Sequence, residues 1–139
     1  MKFNKPGVTF EFHHIGIPTT EKMPNEYYSK KFDIWSADVA NSRINAQWHR
    51  MGPAHPFHPI MAKYPHVAFK VNDIEKAVAG EEIIMEIYEP IPGYKAAMIN
   101  DAGLPVEFVQ TDLTDEELYA KAKSGESVVR DIDKQSNTD

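Results

Sequence analysis

The 139-residue chain contains no cysteine. Disulfides, thiolate metal sites and cysteine nucleophiles are therefore excluded. A chain without disulfides fits a reducing compartment, and the cytoplasm is the expected location. Long hydrophobic runs are also missing. No stretch approaches the roughly 20 apolar residues that cross a bilayer, and the opening MKFNKPGVTFEF has no apolar core of signal-peptide length. Basic residues are not clustered and the net charge is −6, which argues against a nucleic-acid partner. The glycines form no GxGxxG or Walker pattern, and no serine-nucleophile signature is present.

What remains is an ordinary globular composition, 42% hydrophobic and 26% charged, of a length that suits one compact domain. Aromatic and β-branched residues with partial alternation predict strands at 8–17, 31–39, 44–51, 66–71, 82–89, 94–100 and 104–111. Thr19 to Tyr28 is polar and interrupted by Pro24, leaving room for at most a short helix. Residues 52–65 hold four of the ten prolines and read as a loop. Asn72-Asp73 can cap a short helix that Gly80 stops, and Thr114 with Glu117 three residues on predicts a helix over 114–122. The tail from Ser124 to Asp139 is polar apart from Val128-Val129.

The informative feature is a repeat. FHHIGIP carries two adjacent histidines, and HVAFKV follows 52 residues after the second of them. His14-Ile15-Gly16-Ile17 matches His66-Val67-Ala68-Phe69: histidine, β-branched, small, apolar. The closing strands match too, Ala46-Gln47-Trp48 with Val106-Glu107-Phe108. Side chains alternate between faces along a strand, so His14 lies beside Gly16 and His66 beside Ala68, each with open space in front of it. Gln47 and Glu107 point away from Trp48 and Phe108, which read as core. In this frame His14 is the working histidine and His13 faces the other way. His14, Gln47, His66 and Glu107 can then converge on one cavity. Two imidazoles with oxygen donors suit a divalent first-row metal, nickel, cobalt, zinc, manganese or iron, with coordination positions left for water or substrate. His49, on the same face as Gln47, is the alternative fourth ligand. His55 and His58 have ligand-like spacing but read as solvated loop residues.

The pieces HHIGIP, INAQWHRM, PHVAFKVNDIEKAVAG and KAAMINDAGLPVEFVQ, spanning most of residues 12–110, resemble the vicinal oxygen chelate superfamily. That superfamily includes glyoxalase I (lactoylglutathione lyase), methylmalonyl-CoA epimerase, extradiol dioxygenases and bleomycin-resistance proteins. The resemblance implies an α+β fold of paired βαβββ modules forming a cupped mixed sheet, here with an abbreviated first module. The modules would cover about 8–52 and 65–111 of a domain over 1–112, followed by a C-terminal helix and polar tail over 113–139. It implies metal ligands at His14, Gln47, His66 and Glu107, with Glu107 or His49 as the catalytic base. It also implies a homodimer. The activity expected is that of a metal-dependent lyase or isomerase, glyoxalase-like, acting on a small vicinal-oxygen substrate through an enediolate. The alternatives are an extradiol-type dioxygenase and a non-enzymatic small-molecule binding protein of the resistance type.

Overall fold

The computed structural model describes residues 3–124; of the polar tail expected over Ser124 to Asp139, all but Ser124, which ends the last helix, lies outside the described residues. The chain forms one eight-stranded mixed sheet in the order β2-β3-β4-β1-β5-β8-β7-β6. Its strands are β1 (Phe10–Pro18), β2 (Tyr27–Ser29), β3 (Ile34–Asp38), β4 (Ala46–Met51), β5 (His66–Val71), β6 (Ile83–Ile91), β7 (Tyr94–Asp101) and β8 (Leu104–Thr111). Three helices complete it: α1 (Pro59–Lys63), α2 (Ile74–Val78) and α3 (Asp115–Ser124). The sheet curls into a cup, so the α+β architecture expected from the sequence is the one observed.

The repeat is visible in the pairing. β1 runs parallel to β4 with Gly16 opposite Gln47, and β5 runs parallel to β8 with Ala68 opposite Glu107. The two modules meet along an antiparallel seam, β1 against β5, where His14 pairs with Ala68 and Gly16 with His66. Each histidine therefore faces the small residue of the other strand.

The first module has four strands and no helix, whereas the second keeps α2 between β5 and β6. Asp73 caps α2 by accepting a hydrogen bond from the Lys76 backbone N–H, as its sequence suggests. Ile74, Ala77 and Val78 of α2 pack with Ala97, Ile99, Val106 and the fully buried Phe108 on one face of the sheet. Period-two alternation sends Glu107 and Val109, and Tyr94, Ala96 and Met98, to the opposite face. There Leu118 of α3 packs against the buried Ala68, Ala96 and Val109 group. Thr114 and Glu117 form the reciprocal cap of α3.

Three local expectations are corrected. Tyr27–Ser29 is a strand, not part of a short helix, held by pairing to β3 and by the Glu26–Arg50 fork at 2.7 and 3.0 Å. Within the proline-rich 52–65 segment, His58 caps α1 through its ring Nδ1, and Pro59 occupies the first turn, where a missing N–H costs nothing. Phe108 is core as expected, but Trp48 is only half-buried.

Candidate metal centre

Strand geometry delivers three side chains to one point. His14 on β1, His66 on β5 and Glu107 on β8 each offer a ligand atom, and these atoms lie within 4.8 Å of one another. Glu107 Oε1 is 2.9 Å from His14 Nε2 and 3.8 Å from His66 Nε2. Both rings are largely buried and meet edge-on, with centroids 5.6 Å apart.

Glycine makes this approach possible. A Cβ on residue 16 would stand 2.1 Å from His66 Cε1 and 2.6 Å from its Nε2. The His66 ring thus occupies the volume that any other side chain would fill. Ala68, opposite His14 and fully buried, is the small residue in the matching position.

The electrostatics are unusual for a structural core. Burial opposes ionisation of Glu107 most strongly, yet hydrogen bonding from His14, followed by the charges of the surrounding histidines when protonated, outweighs it and holds the carboxyl down at about 2. The group is a carboxylate at neutral pH. A buried carboxylate oxygen 2.9 and 3.8 Å from two imidazole nitrogens is what a divalent cation would satisfy. The donor set fits such an ion.

His49 stands beside this triad but outside it. Its ring stacks on His66 with centroids 5.8 Å apart, and its Nδ1 is 2.9 Å from Ser36 Oγ. Burial, then the neighbouring His66 and His14, push its pKa down to about 3, so it is neutral at physiological pH. Gln47 lines the same cavity, but its amide nitrogen donates to Asp38 at 3.4 Å. His55 and His58 serve locally: their ring nitrogens accept from the backbone N–H groups of Phe57 and Ile60.

His13 departs from the sequence reading. Phe12 pairs with Phe69 and His14 with Ala68, so His13 is the extra residue of a β-bulge. The bulge breaks the alternation, and both histidines line the cavity, each less than a tenth exposed. Their Nδ1 atoms are 2.7 Å apart, which requires one to donate to the other. A neutral His14 that presents the Nε2 lone pair to a cation carries its proton on Nδ1 and donates to His13. His13 then carries its own proton on Nε2, 3.6 Å from Asp115 of α3. Such outer partners fix the tautomer and orientation of a ligating imidazole. Two adjacent histidines were the available signal; strand parity misdirected it.

No family model matches the chain, and no curated protein matches it. Among solved structures, it is similar to a hypothetical protein of Bacillus halodurans C-125, with a TM-score of 0.55, 16% identity, and coverage of 78% of this chain and 97% of that one. It is also similar to methylmalonyl-CoA epimerase from Mycobacterium tuberculosis, with a TM-score of 0.53, 16% identity, and coverage of 79% of this chain and 91% of that one. With the duplicated strand modules and the cupped sheet, these similarities define a vicinal oxygen chelate fold.

Three outcomes are expected. Gly16→Ala displaces the His66 ring and lowers affinity for nickel or cobalt at least tenfold by calorimetric titration; unchanged affinity contradicts the packing account. His13→Phe keeps the fold, seen by circular dichroism, and weakens the same binding about 10–100-fold; affinity within twofold of the parent removes His13 from the centre. The third concerns metal-free protein. His49, with a folded pKa near 3 against 6.5 unfolded, takes up a proton more readily when unfolded. Its contribution is complete above pH 6.5 and is lost as pH falls toward 3. Glu107, near 2 against 4.5, loses its contribution below pH 4.5 in the same direction. The melting temperature of the chelator-treated protein therefore falls steadily below pH 6.5, with a shallower slope in His49→Asn; a flat profile from pH 7 to 4.5 contradicts the assignment.

Proposed function

We propose that the protein is a metal-dependent isomerase or lyase that moves a proton on a carbon next to a carbonyl, on a substrate with two adjacent oxygens. The observation that carries this reading is the convergence of buried Glu107 Oε1 with the ring nitrogens of His14 and His66 within 4.8 Å of one another. His14, His66 and Glu107 would hold the divalent cation, with Gln47 as a fourth donor after its amide turns from Asp38. When bound, the cation supplies positive charge that stabilises the negative charge developing on the two oxygens, worth several kcal/mol in such sites.

The chain's own residues do the rest. His49 is unprotonated at neutral pH, and Ser36 fixes its ring through Nδ1. With Nδ1–H donating to Ser36 Oγ, Nε2 is free to take the proton from carbon. An imidazole this acidified is a weak base at rest. The negative charge growing on the enediolate beside it raises its basicity as the proton moves. Burial pushes the Tyr88 and Tyr94 phenols up, so both remain neutral in the cavity wall and add no competing negative charge.

A second reading draws on the same triad. Two histidines and one carboxylate with open positions also suit ferrous iron and oxygen chemistry. Proton exchange separates the two. Nickel- or cobalt-loaded protein is expected to exchange the carbinol hydrogen of benzoin with deuterated water, followed by proton NMR, and chelation abolishes the exchange. His49→Ala slows it about 10²–10⁴-fold with metal affinity unchanged, whereas Glu107→Gln loses the metal. Exchange no faster than buffer, together with oxygen uptake by ferrous protein given catechol, selects the dioxygenase reading instead.

A further inference from the structure

The cup around the triad encloses about 1070 Å³, at the upper end of small-molecule sites and several times what a three-carbon substrate needs. Its wall has a distinctive composition. The chain has six methionines, and five of them, Met23, Met51, Met61, Met85 and Met98, line this one cavity; the sixth is Met1. They come from separate segments across both modules and converge only in the fold. Phe32 and Phe57, stacked with centroids 5.5 Å apart, add an aromatic wall, and Phe32 meets Tyr88 edge-on at 5.9 Å. Thioethers are flexible and polarisable, and they pack well against aromatic rings. A wall of this kind accommodates a broad apolar body without demanding one shape.

The mouth is charged in one sense. Asp38, Asp115 and Glu116 line it and are exposed, and Arg43 is the only lysine or arginine among the described residues of the lining. Glu107 adds a fourth negative charge inside. Counting Arg43 and a divalent cation, the described residues of the lining remain net negative. A polyphosphate tail such as that of coenzyme A, or the two carboxylates of a glutathione conjugate, would meet repulsion with one cation to offset it.

We infer that the substrate is an uncharged compound with an aromatic or polycyclic body, seated against the methionine and phenylalanine wall with its two adjacent oxygens toward His14, His66 and Glu107. The oxygen end rests on the metal-centre reading above; the apolar body does not. Flavone and 3-hydroxyflavone separate the two. They share one uncharged aromatic body, and only the second has a hydroxyl next to its carbonyl. Fluorescence titration against chelator-stripped protein and against nickel-loaded, dialysed protein reads both halves.

Flavone is expected to bind both forms with similar micromolar affinity. The 3-hydroxy compound should bind the loaded form at least tenfold more tightly than flavone does. Phe57→Glu and Met85→Glu, half-buried wall positions in the β4–α1 loop and on β6, should each weaken flavone binding at least tenfold; two variants guard against one failing to fold. Flavone binding with no gain for 3-hydroxyflavone upholds the apolar body and fails the metal centre. No flavone binding to either form overturns the inference, even if 3-hydroxyflavone is chelated. Binding unchanged in both variants, or displacement of flavone by acetyl-coenzyme A at equal or lower concentration, also overturns it.

Discussion

A carboxylate buried among imidazoles is the constraint around which this structure is arranged. Glu107 remains ionised although burial opposes it, because three histidines surround it. Such a group is expensive to bury unless something completes it. The neighbouring residues are explained by that need. Gly16 yields its side-chain volume to the His66 ring, and Ala68 occupies the matching place opposite His14. The bulge at His13 sets a second imidazole 2.7 Å behind His14. On the reverse of the same strands, Phe108, Ile99 and Ala97 pack under α2 and hold the sheet that positions the site.

The two modules share one register but not one chemistry. Gln47 and Glu107 stand at equivalent places, each opposite the small residue of the adjacent histidine strand. The strands β4 and β8 hold equivalent places, each third from an edge of the sheet, yet Glu107 is buried. Gln47 is half-buried, with Asp38 within reach. The first module has no helix to match α2, and Asp38 and Arg43 on that half are exposed. Repetition thus accounts for the convergence.

Much of the site was legible in the sequence because strand alternation has a period of two. Once His14 was aligned with His66, and Gln47 with Glu107, parity alone put these side chains on one face and Phe108 on the other. The same rule failed at His13, since a single inserted residue reverses parity and leaves no mark in composition. β2 was hidden for a different reason: three residues beside Pro24 have no strand signal of their own and depend on pairing with β3. α1 was masked by prolines that also serve to start it. The methionine wall could not be read at all, because positions 23, 51, 61, 85 and 98 share no periodicity and meet only when the sheet closes.

The similarity to an epimerase at 16% identity concerns the fold alone. The central claim is that three side chains from both modules share one ion. X-ray absorption spectroscopy on cobalt- or nickel-loaded protein tests it most directly. Scattering from two imidazoles and one carboxylate oxygen, with the imidazole contribution reduced in His14→Ala and again in His66→Ala, is the result this account predicts. A shell of oxygen alone, or one unchanged in both variants, would place the ion elsewhere and leave Glu107 as a buried charge without a function.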